Sequence, residues 1–238
     1  MITNILFSTN SLQDKVLIAT ALILAVGIAI ICHEIAHGYA AMTQGDLTAK
    51  MSGRLTLNPV AHFDLFGFLL MMTAGIGWAR PVPVNPNNFR KYRKGCFVVS
   101  IAGVLANFII AIIAFVFYAV FYTAIMTGIY NQSPLAKFFY YFLQYSVILN
   151  AGLIAFNLLP IYPLDGFRII ESFTRYNNRF CVFMRRYGLQ IFLGLFLLGF
   201  VADFTGIYWI DVLGTLVSYV QNGIINFITW FLGVVGVL

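Results

Sequence analysis

Charged residues are scarce in this sequence: Asp, Glu, Lys and Arg make up 9% of its 238 residues, whereas soluble domains carry about 25%. Cysteine is also scarce, and the three single thiols form neither a CxxC pair nor a disulfide framework (Cys32, Cys96, Cys181). The net charge is +6, but no segment of soluble composition carries a run of basic residues. Nucleic-acid binding is therefore not indicated. These absences exclude a soluble domain and leave an all-α polytopic membrane protein.

Long charge-free apolar stretches occupy most of the chain. A transmembrane helix needs ~20 apolar residues, so these stretches predict about five spans. The N-terminal region has no basic segment before its apolar stretch, so we interpret that stretch as a permanent span rather than a cleaved signal peptide. The predicted spans are about Lys15–Thr43, Cys96–Met126, Phe139–Leu159, Leu189–Phe204 and part of Tyr208–Leu238.

The segment between the first two spans carries two further patterns. Apolar and polar residues alternate on both sides of Ser52-Gly53, which predicts a short β-hairpin over Leu47–Leu57. The apolar stretch Phe66–Trp78 has 13 residues, too few for a comfortable span. We therefore predict that it is a re-entrant segment that enters and leaves the membrane on one side.

Positive charge predicts the orientation. Residues 44–95 contain seven Lys and Arg residues and residues 164–187 contain five, but residues 128–137 contain one. Cytoplasmic loops are enriched in Lys and Arg, so the two rich loops are predicted to be cytoplasmic and the N-terminus external.

Two histidines and a glutamate interrupt the first apolar stretch. His33 and His37 lie four residues apart, so a helix places them on one face with Glu34 between them. This H-E-x-x-H spacing lets two imidazoles bind one Zn²⁺ while the glutamate acts as a general base. Ionisable side chains inside a membrane are costly and usually line a protein interior, which favours a metal site over a chance match.

A third ligand is expected from the same side of the membrane. Asp165 lies at the predicted cytoplasmic end of the third span, where Pro160 and Pro163 break the helix and Gly166 follows. The alternative interpretation is an exposed aspartate in an ordinary turn. Because the two histidines are predicted at the same depth, we prefer the interpretation of Asp165 as a ligand, with the active site between the first and third helices.

These motifs resemble those of the site-2 protease family of intramembrane zinc metalloproteases, in its compact prokaryotic branch. The resemblance covers about residues 15–175. It is carried by His33-Glu-Ile-Ala-His37, Gly103-Val-Leu-Ala-Asn107, Asn157-Leu-Leu-Pro-Ile-Tyr-Pro-Leu-Asp165-Gly166, and the segments 53–64 and 78–85.

The resemblance implies roles for individual residues. His33, His37 and Asp165 would hold one Zn²⁺ per chain, and Glu34 would activate the zinc-bound water. Asn157 would help to bind the backbone of a transmembrane protein substrate. The 47–57 hairpin would offer an edge strand to an unwound substrate segment.

The resemblance also implies an overall organisation. We expect residues 1–238 to form one membrane-embedded domain in a prokaryotic cytoplasmic membrane, with a catalytic core at about 15–175 and additional helices at about 188–238. We identify no segment for a PDZ module and no CBS-like tail.

Three hypotheses stay open at this point. The first is an intramembrane zinc endopeptidase, and the second is a catalytically inactive or metal-handling membrane protein. The third is a membrane-anchored enzyme that cuts soluble peptides. Glu34 favours an enzyme, because a zinc carrier has no need of a base between its ligands. His62 carries two interpretations, a structural histidine of the loop or a gate and transient metal ligand.

Overall fold

The computed structural model describes residues 11–64, 66–67, 80–124, 133–175 and 177–234. Within these residues, five helices are long and apolar enough to cross a membrane, which confirms the predicted number of spans. The long helices are α1 (Leu12–Gln44), α4 (Tyr92–Ala124), α5 (Pro134–Asn157), α7 (Arg179–Thr205) and α8 (Val212–Val234). Shorter helices are α2 (Thr48–Met51), α3 (Pro59–His62) and α6 (Asp165–Phe173), with 3₁₀ turns at Pro86–Asn88 and Tyr208–Ile210.

The ends of the long helices follow local sequence signals. α1 begins after Ser11, whose hydroxyl accepts a hydrogen bond from the Asp14 backbone N–H at 3.1 Å, and so satisfies one free donor of the first turn. It ends at Gly45, which has φ of 108°, a conformation that glycine adopts without strain. α5 begins with Ser133 as the cap and Pro134 in the first turn, where a proline costs no hydrogen bond.

Three of the long helices, α1, α4 and α5, form the packed centre of the molecule. In the most apolar 18-residue stretch of each helix, 44% of the residues of α1 and 39% of those of α5 are buried. The corresponding fraction is 11% in each of α7 and α8. Lys137 Nζ lies 2.9 Å from Asp14 Oδ1, so α1 and α5 begin at the same end of the molecule. The two helices therefore run parallel, and α4 returns between them.

The two loops that are rich in Lys and Arg meet at the opposite end. One cavity there is lined by Pro86 and Tyr92 from the first loop region and by Arg168 and Arg185 from the second. Both basic loops therefore share one face of the molecule, as the orientation prediction requires. Which face is cytoplasmic stays a prediction.

The predicted β-hairpin over Leu47–Leu57 is wrong. Residues Thr48–Met51 form a helical turn, and no strand is found in the part of the chain that the structure describes. The Asp46 carboxylate accepts hydrogen bonds from the backbone N–H and the hydroxyl of Thr48, which starts a helical turn at this point. The proposed edge strand for the substrate is therefore absent from this segment.

The predicted re-entrant segment Phe66–Trp78 lies outside the described residues except for 66 and 67. Its flanks are described, and they lie together. The Arg80 backbone N–H donates to the His62 carbonyl at 2.7 Å. His62 and Arg80, which lie on either side of this segment, are therefore neighbours in space.

Residues 80–90 cross the end of α1, and we call this segment the strap. Asp46 is fully buried and binds the strap at two points. Its carboxylate accepts from the Asn85 backbone N–H at 2.7 Å and from Asn88 Nδ2 at 2.8 Å. The Arg90 N–H also donates to the carbonyl of Gln44 at 2.9 Å. The strap is therefore fixed to the end of α1 along its second half.

Replacement of Asp46 tests this attachment. Burial raises the pKa of Asp46, but the hydrogen bonds from Thr48, Asn88 and Asn85 outweigh burial and hold the pKa below its usual value of 3.8. In Asp46→Asn an NH₂ group replaces one of the two accepting oxygens, so some of these hydrogen bonds are lost. We therefore expect the free energy of unfolding to fall by about 1–3 kcal/mol at pH 7.

The pH dependence has a defined sign. Because the native pKa is lowered, the stabilisation by Asp46 is present above pH 3.8 and is lost as the pH falls through the native value. Thermal unfolding of wild type and Asp46→Asn should therefore differ at pH 7, and the difference should shrink as the pH falls below about 3.8. A difference that stays constant down to pH 2.5 would contradict an ionised Asp46 in the native state.

Candidate metal centre

Three side chains converge at one point, two of them from α1 and the third from the start of α6. His33 Nε2 and His37 Nε2 are 3.0 Å apart. Asp165 Oδ2 lies 3.4 Å from the first nitrogen and 3.2 Å from the second. No other group of three or more His, Cys, Asp or Glu side chains within the described residues has this metal-binding arrangement.

The hydrogen bonds of the two Nδ1 atoms show that each Nε2 has a free lone pair facing the centre. His37 Nδ1 lies 2.7 Å from the Val99 carbonyl, which can only accept a hydrogen bond, so Nδ1 carries the proton. His33 Nδ1 lies 2.6 Å from Asn107 Oδ1, and this amide oxygen also requires a donor. A neutral imidazole has one N–H, so each Nε2 presents a lone pair. Two lone pairs and a carboxylate oxygen therefore face one another.

This donor set fits Zn²⁺. Zinc binds imidazole nitrogen at about 2.0–2.1 Å and carboxylate oxygen at about 2.0–2.2 Å in a tetrahedral arrangement, which places ligand atoms about 3.3 Å apart. The three separations of 3.0, 3.2 and 3.4 Å lie around that spacing. Asp165 Oδ2 is also buried without a hydrogen bond of normal geometry among the described residues, so a cation would supply the partner that it needs.

The break after α5 delivers Asp165 to this point. α5 ends at Asn157, and Asp165 is the first residue of α6. Gly166 lies so close to the end of α5 that a Cβ atom there would clash with the carbonyl oxygen of Leu158. The absence of a side chain at Gly166 therefore allows α6 to begin against the end of α5, with Asp165 directed at the two histidines.

Gly103 on α4 forms the floor beneath the two imidazoles. A Cβ atom at this position would lie 2.6 Å from His33 Cε1 and 2.6 Å from His37 Nε2, well inside van der Waals contact. Glycine is therefore required here for the rings to keep their positions.

A chain of buried amides holds His33 and was not predicted as part of the site. Asn107 is fully buried, and its Nδ2 donates to the Asn150 side-chain oxygen at 2.7 Å and to the Ala29 carbonyl at 3.2 Å. Asn150 Nδ2 donates in turn to the Ser146 carbonyl at 2.7 Å. This chain links α1, α4 and α5 and orients the His33 ring. The available signal was a pair of asparagines inside two charge-free apolar stretches.

Glu34 lies between the two histidines and is held from outside the helix. Its Oε2 accepts a hydrogen bond from the Val82 backbone N–H of the strap at 2.7 Å. The Val82 side chain packs close to Gly38, one residue beyond His37. The strap therefore contacts the same short section of α1 that carries the predicted zinc ligands.

The two remaining predicted residues lie outside the cluster. Asn157 Nδ2 donates to the Leu153 carbonyl in its own helix at 3.0 Å. His62 is fully buried, and its Nε2 lies 2.7 Å from the Thr56 carbonyl. The contacts of His62 suit a structural role in the loop, and its role as a gate or transient ligand stays a prediction.

Comparison with known proteins gives the family. The model of peptidase family M50 matches residues 21–199, which include all of the converging side chains. The chain belongs to peptidase family M50. It is 43% identical over 179 residues to the "Putative zinc metalloprotease YwhC" of Bacillus subtilis (strain 168), an alignment that covers 74% of this chain and 79% of that protein. No solved structure matches the chain.

Membership of family M50 confirms the resemblance to site-2 proteases that the motifs indicated. It supports the coarse description of the chain as a membrane metalloprotease that uses zinc.

Substitution of Gly103 tests the floor of the M50 site. The added methyl group of Gly103→Ala would displace both imidazoles, so we expect zinc affinity to fall at least about tenfold. Competition titration with a chelator measures this affinity. Gly27→Ala on α1, where a Cβ would meet no atom within 4 Å, is the matched control. Wild-type zinc affinity in folded Gly103→Ala would show that the imidazoles need no glycine beneath them.

Proposed function

We propose that this protein is an intramembrane zinc endopeptidase that hydrolyses peptide bonds in transmembrane or membrane-proximal segments of other proteins. The observation that carries the proposal is the convergence of His33 Nε2, His37 Nε2 and Asp165 Oδ2 within 3.4 Å of one another beside the apolar helix α1. Glu34, in the same turn of that helix, supplies the base that peptide hydrolysis needs.

His33, His37 and Asp165 would hold one zinc ion. Bound zinc would supply Lewis acidity, lowering the pKa of a water molecule and polarising the scissile carbonyl. Glu34 takes the proton from the attacking water and gives it to the leaving amine. Asn107 and the Val99 carbonyl keep the two histidines in the tautomer that presents Nε2.

The depth of the site supports a membrane substrate. His37 lies seven residues before the end of α1 at Gln44, or about 10 Å along the helix. The predicted orientation places that end at the cytoplasmic face, so the bond that is cut would lie inside the bilayer near this face. A helical substrate must unwind before its carbonyl can be attacked, since its own hydrogen bonds occupy that oxygen.

Asn157 and the domain organisation remain part of the proposal. Asn157, the last residue of α5 before the break that leads to Asp165, would contact the substrate backbone beside the site. The core at about 15–175 would carry catalysis within a single domain of residues 1–238. Helices α7 and α8, which bury little of their apolar surface, would complete the domain in lipid.

Glu34→Gln tests the reaction. The amide keeps the shape of the side chain but accepts no proton, so kcat should fall at least about 100-fold with zinc content unchanged. The assay is purified protein in liposomes with a single-span substrate, with zinc measured in the same samples. Asp203→Asn, which neutralises an exposed carboxylate on α7, should behave as wild type.

Two results would count against the proposal. Loss of zinc together with activity in Glu34→Gln would make Glu34 structural rather than a base. A wild-type protein that holds zinc and cuts no membrane substrate would favour a metal-handling or inactive protein.

A further inference from the structure

The peptide group that joins Pro81 to Val82 lies between two charged side chains. Its N–H donates to Glu34 Oε2 at 2.7 Å. Its carbonyl, which belongs to Pro81, accepts from Arg54 Nη2 at 3.2 Å. The same Arg54 nitrogen donates to the Arg80 carbonyl at 2.6 Å. A guanidinium and a carboxylate therefore contact the opposite ends of one peptide group.

The electrostatics of this arrangement favour one orientation. In a trans peptide the C=O and N–H bonds point in opposite directions. The negative end of the peptide dipole faces the Arg54 cation, and the positive end faces the Glu34 anion. Each hydrogen bond polarises the other, and hydrogen bonds to charged groups are stronger than those between neutral groups.

We propose that Arg54 is a positioning residue for Glu34 that acts through the Pro81–Val82 peptide group. Arg54 holds the carbonyl end, which directs the Val82 N–H at one oxygen of the Glu34 carboxylate. The glutamate side chain, which has three rotatable bonds, is thereby kept in one arrangement beside His33 and His37. This inference rests on the proposed function, in which Glu34 is the base.

The sequence of the strap suits this role. Pro81 and Pro83 flank Val82, and neither has a backbone N–H. The Val82 N–H is therefore the one backbone donor within residues 81–83, and it donates to Glu34. The far half of the strap is bound to Asp46, so Arg54 at the near half completes the attachment.

Kinetics of Arg54 variants form the first test. We expect kcat of Arg54→Ala to fall roughly tenfold to 100-fold, as a displaced catalytic group does, with KM within about threefold and zinc content unchanged. Arg54→Lys keeps the charge and can reach one carbonyl, so it should recover part of the loss. Arg80→Ala is the matched control, because it removes the same charge from an exposed neighbour whose backbone makes the strap contacts.

Hydrogen exchange at Val82 forms the second test and requires no substrate. In a fragment covering residues 80–83, Val82 has the one backbone amide hydrogen after the first residue, because the two prolines have none. We expect this hydrogen to be protected in wild type. It should exchange at least about tenfold faster in Arg54→Ala and in Glu34→Ala, but not in Arg80→Ala.

The two tests separate the inference from the proposed function. A wild type that cuts no substrate contradicts the proposed function, and the exchange experiment then decides the inference alone. Equal kcat in folded Arg54→Ala and Arg80→Ala, or unchanged Val82 exchange in Arg54→Ala, would overturn the inference. Should Arg54→Ala fail to fold, Arg54→Lys takes its place: wild-type kcat and wild-type Val82 exchange together would overturn the inference, and an intermediate loss supports it.

Discussion

The mutual approach of three electron-pair donors is the interaction on which the rest of this structure depends. Two imidazole nitrogens and a carboxylate oxygen lie within 3.4 Å of one another. Their lone pairs repel one another unless a cation lies between them. Their positions are set from behind, through Asn107 at His33 and the Val99 carbonyl at His37. Gly103 and Gly166 then allow the backbones to approach closely enough for the three atoms to meet.

The membrane explains why so much of the polar chemistry is buried and paired. In an apolar surrounding every polar group needs a partner within the protein, and the Asn107–Asn150 pair meets this need while it joins α1, α4 and α5. The same hydrogen bonds that satisfy the buried amides also orient His33. The stability of the fold and the geometry of the candidate metal site therefore rest on shared contacts at the centre of the molecule. At the end of α1 the contacts differ, because Asp46 is buried among donors and fixes the strap from outside the helix.

Much of this arrangement could be predicted from local patterns. The apolar stretches gave the number of spans, because length and lack of charge are properties of each segment alone. The spacing of His33 and His37, and the proline break before Asp165, indicated the three residues that the structure brings together.

The parts that were not predicted depend on particular side-chain contacts, one of them local and two between distant residues. The alternation of polar and apolar residues at 47–57 is short. The hydrogen bond from the Thr48 N–H to the Asp46 carboxylate starts a helical turn there instead of a strand. Asn150 meets Asn107 across two helices, and Arg54 meets Pro81 across 27 positions of sequence. Neither contact changes the pattern of polar and apolar residues in its own segment. A single sequence therefore gives no signal that these residues pair.

X-ray absorption at the zinc edge of the purified protein tests the central claim most directly. The account predicts about one zinc per chain in a four-coordinate shell of nitrogen and oxygen, with two imidazole ligands at about 2.0–2.1 Å. In Asp165→Ala the protein oxygen of that shell should be lost while both imidazoles stay. A shell that contains sulfur at about 2.3 Å, or one that lacks imidazole, would contradict a site built from His33, His37 and Asp165.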